Sequence, residues 1–300
     1  MKGSTLYQNR KTSTNLAAAV FLAPVIILLI IFIAYPIIDS FNTSFYKWNG
    51  ITVEKSFNGI ENWKILLGDR SFWLAFLNNV VLMVLSISIQ LPIGLALATF
   101  LDFGGKKMNV FKVIWFLPML MSSVAIGFLF RYVLATNGGI VSTITTAFAG
   151  KATNVDLLGS PDRALLTVVM VICWQFIPFY MVYFMAAYTN TSYDIYEASR
   201  IDGATRGQYF WRIALPLLAP SVKSAAILSL VGSLKYFDLI YAMTGGGPGT
   251  STELMATYMY KQSFKTFNMG YGATVACGMF ILISIISFTT MHLINRKRGD

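Results

Sequence analysis

An all-α, polytopic membrane bundle is the fold class that three observations predict. Hydrophobic residues make up 56% of the chain and charged residues 12%, about half the charged share of a soluble domain. Six apolar stretches, 16–38, 75–101, 113–134, 164–188, 221–243 and 270–294, each approach or exceed the roughly 20 helical residues that cross a hydrocarbon core. They are too long and continuous for barrel strands, and in lipid a helix satisfies its own backbone groups within the segment.

The first stretch follows a short basic region, as a signal peptide would, but is too long for a signal core and has no small-residue cleavage site closing it. It reads as a retained anchor. Pro24 and Pro36 are tolerated there because neighbouring groups can satisfy the freed carbonyls. The second to fourth stretches contain no carboxylate between their bounds 75–101, 113–134 and 164–188. The fifth is the weakest by hydropathy, because Lys235 and Asp238 interrupt it. Cys173 and Cys277 lie deep in predicted spans without metal-ligand spacing, so both read as small apolar packing residues. His292, the single histidine, reads as an interfacial residue.

Basic residues favour the cytoplasmic side of short loops. With both termini inside, the cytoplasmic set is Lys2, Arg10 and Lys11, then Lys106, Lys107 and Lys112, then Arg200, Arg206, Arg212 and Lys223, and finally Arg296, Lys297 and Arg298. The opposite loops hold nearly as many bases but also Asp39, Glu54, Glu61, Asp69, Asp156, Asp162 and Glu253. The expected organisation is a cytoplasmic tail at 1–15, a first span and outer loop at 16–74, a core of five spans at 75–294 with a cytoplasmic loop at 190–220, and a tail at 295–300. The net charge of +10 is accounted for by basic helix ends facing anionic lipid, so no nucleic-acid partner is expected.

The loop EASRIDGATRGQYFWRIALPLLAP, 197–220, is a compact polar segment between two spans. Asp194 and Glu197 have the form of a capping box, which predicts a helix start near Ile195. Glu197 and Arg200 stand one turn apart and can pair. Asp202-Gly203 signals a sharp corner into a second short helix. Pro216 and Pro220 are expected to forbid a smooth continuation into the next span.

Glu197, Ala198, Gly203, Ile213, Leu215 and Pro216 stand at the spacing of the EAA loop, with Ser199 in place of the usual second alanine. On these residues the chain resembles the permease subunits of binding-protein-dependent ABC importers. The resemblance extends to Leu77-Asn78-Asn79, to Gly94-Leu95-Ala96-Leu97-Ala98, to Phe116-Leu117-Pro118, and to Thr244-Gly245-Gly246-Gly247-Pro248 after the fifth span, all similar to first-subunit permeases of carbohydrate importers. It covers the chain from about residue 70 onward. Thr191 and Ser192 stand where the family commonly has a proline. The glycine run lacks the lysine and following helix of a phosphate loop, so no ATP site is read in this chain.

The resemblance implies a MetI-like bundle in a bacterial inner membrane, paired with a second permease, two ATPase subunits that hold the ATP and magnesium, and an extracellular or periplasmic solute-binding protein. No cofactor, metal or catalytic residue is expected in this chain. Its carbohydrate substrate would cross the bilayer between the permeases. Glu197, Ala198, Ser199, Asp202, Gly203 and Ala204 would form the contact with one ATPase, through which a rigid short helix passes motion to the pore.

Polar residues inside spans are expensive and so mark candidate sites: Asn78, Asn79, Gln90, Gln175, Ser229, Ser233, Lys235 and Asp238. A sugar has polar edges and CH-rich faces that pack on rings. Trp174, Gln175, Phe179, Tyr180 and Tyr183 on the fourth span and Ser229, Ser233, Tyr236 and Asp238 on the fifth supply both. Interfacial belt or helix packing is the other reading of these aromatics, and Lys235 and Asp238 can pair with each other. The rival functions are a secondary transporter or channel, a membrane scaffold, and an importer of a glycerol-phosphate-like solute. Copurification of an ATPase separates the first two from the importer.

Overall fold

The computed structural model describes residues 19–104, 108–149, 156–189 and 193–296. The expected N-terminal tail, Lys106 and Lys107, Thr191 and Ser192, and Lys297 and Arg298 lie outside the described residues. The chain divides into two compact units: residues up to Gly68 with Lys261–Gly278, and Asp69–Tyr260 with the residues from Met279.

The first unit opens with α1 (Ala19–Thr43), an apolar helix with none of its most hydrophobic window buried. A π turn, Ile30–Ala34, sits two residues ahead of Pro36. The proline lacks an amide and crowds the carbonyl one turn back, and a widened turn relieves both without ending the helix. A short hairpin follows, β1 (Tyr46–Lys47) and β2 (Ser56–Phe57), then α2 (Glu61–Gly68). Ser44, fully buried, ties them together. Its carbonyl accepts from Asn62 Nδ2 at 2.9 Å and from Thr274 Oγ1 at 3.2 Å, and its hydroxyl accepts from Trp63 Nε1 at 3.1 Å.

In the second unit, α3 (Arg70–Gly104) and α7 (Pro161–Thr189) form the central pair. Their backbones approach closely where Gly94 faces Tyr180: a Cβ on Gly94 would stand 2.7 Å from the Tyr180 Cβ. Around them lie α4 (Asn109–Leu120), α5 (Ser123–Val133), α6 (Ile140–Ala149), α8 (Tyr193–Ile201), α9 (206–234), α10 (Asp238–Met243) and α11 (Met255–Tyr260). One apolar core gathers Leu82, Ile126, Val168, Ile172 and Leu239; a second gathers Leu91, Ala98, Phe184, Tyr209 and Leu218. The last helix, α12 (Met269–Arg296), starts in the first unit and finishes in the second.

Five described helices are long and apolar enough to span a bilayer, and a sixth span exists if α4 and α5, bent by 93°, are taken together. The expected single helix over 113–134 is therefore two. Pro118 removes one bond from the last turn of α4, and Met121 then turns extended (ψ 145°) so that the chain restarts at Ser123.

The expectation that Pro216 and Pro220 break entry to the fifth span is corrected. A π turn, Phe210–Ala214, again sits two residues ahead of the proline, and the helix runs on to Leu234. The break comes later, at 235–237, where α9 stops and α10 begins. Asn79, fully buried on α3, satisfies that break. Its Nδ2 donates to the carbonyls of Ser233 at 3.0 Å and Leu234 at 3.1 Å, and its Oδ1 accepts from Met255 N at 2.9 Å. Asn78 beside it donates to the carbonyls of Ser251 at 3.2 Å and Glu253 at 2.9 Å. Both asparagines, candidates for a transport path by their polarity, instead hold backbone that would otherwise lose its bonds.

Candidate functional site

Two places gather the candidate residues: the turn between α8 and α9, and a cavity beside α3, α7 and α9. The turn is built by its backbone. Ala204 N donates to Ser199 O at 2.9 Å and Gly203 N to Arg200 O at 3.1 Å, the pair of bonds of a Schellman closure. Gly203 takes the left-handed conformation this closure needs, with φ 81°. Thr205 then caps α9: its Oγ1 accepts from Gln208 N at 3.3 Å, while Gln208 Oε1 accepts from Thr205 N at 2.8 Å. The capping box lies here, legible as T-x-x-Q. Asp194 is the second residue of a helix described from Tyr193.

Glu197, Ala198, Asp202 and Gly203 are exposed at this corner, and Ala204 is half-buried. Ser199 is buried, its hydroxyl donating to Tyr196 O at 2.7 Å, so it faces the permease side of the helix. The expected pairing of Glu197 with Arg200 does not form: the ion pair among the described residues is Lys64 with Glu61. Behind the corner, the rings of Tyr196 and Tyr209 meet edge-on at 5.0 Å, and Phe103 lies 6.1 Å from Tyr196. These rings join α8 and α9 to the end of α3.

The cavity measures about 210 Å³. Leu82, Ser86 and Gln90 form one wall, spaced by four residues along α3; Met119 closes it from α4. Ile172, Phe176, Phe179 and Tyr180 come from α7, Leu228, Ser229, Gly232 and Ser233 from α9, and Tyr236 from the break that follows it. The hydroxyls of Ser86, Ser229 and Tyr236 are buried and close no hydrogen bond of normal geometry, although Cys173, Tyr180 and Ser123 respectively lie near enough to interact with them. Phe176 meets Tyr236 edge-on at 6.0 Å. The site therefore offers rings beside three hydroxyls without a well-formed internal bond, together with Gln90 and Ser233. Ser86 was hidden in the sequence as one small residue of an apolar run; its i, i+4 spacing to Gln90 is the signal that could have found it.

Of the residues named from sequence, Gln90, Phe179, Tyr180, Ser229, Ser233 and Tyr236 meet in this cavity. Trp174 stands outside it, 38% exposed and packed edge-on against Phe130 at 5.2 Å. Gln175 is buried elsewhere, donating to Ser123 Oγ at 3.0 Å. Lys235 and Asp238 are exposed at the break of the fifth span and form no ion pair with each other. No cluster of side chains among the described residues is suited to a metal ion.

Residues 90–299 match the family of binding-protein-dependent transport system inner membrane components. The chain belongs to this family. As a permease component it is the membrane-embedded, non-catalytic part of an ABC transporter. Similar relatives span nearly its whole length. The permease is 32% identical over 273 residues to the multiple sugar-binding transport system permease protein MsmF of Streptococcus mutans, covering 91% of this chain and 93% of that one. It is 30% identical over 283 residues to the trehalose/maltose transport system permease protein MalF of Thermococcus litoralis, covering 92% of each. Among solved structures, a chain of a bacterial ABC transporter that imports the polysaccharide alginate superposes with a TM-score of 0.81 at 23% identity, covering 97% of this permease and 99% of that chain. That likeness carries the fold, a bundle of membrane helices of the MetI-like kind.

Proposed function

We propose that this permease serves an importer of sugars or oligosaccharides, that its cavity is one wall of the solute path, and that the α8–α9 corner docks an ATPase subunit. The observation that carries the solute reading is the set of buried hydroxyls of Ser86, Ser229 and Tyr236, none with a well-formed hydrogen bond, beside the rings of Phe176, Phe179 and Tyr180. A buried hydroxyl without a partner is costly, and a polar ligand that bonds it recovers that cost. A pyranose supplies hydroxyls for such groups and CH faces for the rings. Two relatives named for sugars support the same class. None of the described lining side chains is charged, which disfavours a glycerol-phosphate-like solute. At about 210 Å³ the cavity is below the roughly 300 Å³ at which drug-sized pockets begin, so an oligosaccharide would need the other wall from a second permease.

Docking is supported by the exposure of Glu197, Ala198, Asp202 and Gly203 on a corner rigidified by two capping motifs. In this reading ATP and magnesium belong to two partner ATPases, a solute-binding protein delivers the sugar, and both termini and the corner face the cytoplasm. The test is purification of the tagged permease from its native membrane. An importer brings down an ATPase and a second permease, and takes up sugar only with ATP. A permease that carries sugar alone, driven by an ion gradient, would overturn the proposal.

A further inference from the structure

The six-residue helix α10 is nearly sealed against its surroundings. Leu239, Ile240, Ala242 and Met243 are buried, and Gly127 of α5 comes so close that a Cβ there would stand 2.6 Å from the Ala242 Cβ. The face that stays open carries Asp238 and Tyr241, the latter 37% exposed. Tyr241 stacks on Phe237, centroids 5.0 Å apart and planes 15° from parallel, and Tyr260 completes a cluster at 5.1 Å from Tyr241 and 5.5 Å from Phe237. Lys235 is exposed one turn before Asp238, and neither charge is ion-paired.

Two unpaired charges of opposite sign are expensive against lipid tails, so this face meets water or a polar ligand. It adjoins the cavity along the chain: Tyr236, which lines the cavity, lies between Lys235 and Phe237. The roughly 29 residues of α9 place it on the order of 40 Å along that helix from the α8 corner. Stacked rings flanked by a carboxylate and an ammonium match one pyranose: the rings take its CH face, while Asp238 accepts from and Lys235 donates to its hydroxyls.

We propose that Phe237, Tyr241 and Tyr260, with Lys235 and Asp238, form a second sugar subsite next along the chain from the cavity-lining Tyr236, where a ring rests before it reaches Ser233 and Tyr236. The proposal rests on the sugar-path reading above.

The test uses the permease assembled with its partners in lipid nanodiscs, with single cysteines introduced as Tyr241→Cys, Asp238→Cys and Ser233→Cys. The native Cys173 and Cys277 are buried and free, and serve as the unreactive background. Each variant is treated with a membrane-impermeant maleimide, with and without a mixture of maltotriose, lactose and trehalose. The expected result is sugar protection at all three positions, slowing modification about two- to tenfold, the range a stacking contact gives. Protection at 233 with equal rates at 238 and 241 overturns the subsite and leaves the cavity reading standing. Absence of protection at all three overturns both. Unreactive 238 and 241 in the absence of sugar means that a protein surface covers them, which also overturns the subsite.

Discussion

Removing the Asn79 side chain would strand the carbonyls of Ser233 and Leu234 and the amide of Met255, all at a buried site. Each stranded group costs about 1–3 kcal/mol. Asn79→Leu is therefore expected to lower the thermal midpoint of the purified permease by several degrees and to cut its yield. Ser229→Ala removes a hydroxyl with no well-formed hydrogen bond, so its midpoint should hold while uptake falls. At the corner, Gly203→Asp meets φ 81° but nothing within 4 Å inside the chain. Strain of about 1 kcal/mol leaves the permease folded, and the clash falls on the docked partner. Membrane levels should be normal, with ATPase copurification and uptake lost. Glu197 lies past the first turn of α8, so harm from Glu197→Lys would also have to come through that partner; unchanged uptake would make Glu197 a solvated residue. The sharp corner between α8 and α9 was legible because its motif positions encode backbone geometry. Asn79 was not, because polarity inside a span announces a cost without saying whether a ligand or a backbone meets it.

Helix positions along the chain were readable from hydropathy, since any apolar run of spanning length must be helical in lipid. The breaks were not. Pro216 looked like an interruption, yet a π turn before it carries the helix through, as another does before Pro36. The fifth span breaks instead at 235–237, where neither Gly nor Pro stands, and where Lys235 and Asp238 looked like charges on a continuous helix. Because α9 is regular as far as Leu234, Ser229 and Ser233 share one stripe, and Tyr236 joins the same cavity from the first residues beyond it. Tyr236→Ala should lower uptake while leaving assembly intact, because it removes a ring from the cavity and no well-formed hydrogen bond. Cysteines at 229 and 236 should be protected by sugar, and cysteines at 227 and 231, half-buried and outside the cavity lining, should not. Equal labelling at all four would make α9 a packing helix and place the path elsewhere.

The number of membrane crossings turns on α4 and α5. Between Val110 and Asp156 the described helices are this pair, bent by 93°, and the ten-residue α6, which is too short to cross. If the pair crosses, Val110 and Asp156 lie on opposite faces of the membrane; if it dips in and returns, they share one. Between Asp156 and Asp202, α7 is the one described helix long and apolar enough to span. Asp156 and Asp202 are exposed and Val110 is 70% exposed, so a cysteine at each can meet a reagent. The bend does not by itself prevent a crossing: α5 packs its Ile126 and Gly127 into the core against α10, as a spanning segment between helices would. Six crossings are therefore expected. In right-side-out vesicles an impermeant maleimide should label the Asp156→Cys variant, and in inside-out vesicles the Val110→Cys and Asp202→Cys variants. Labelling of Val110→Cys and Asp156→Cys from the same face would make the pair a re-entrant loop. The spans would then number five, and the two termini would lie on opposite sides of the membrane.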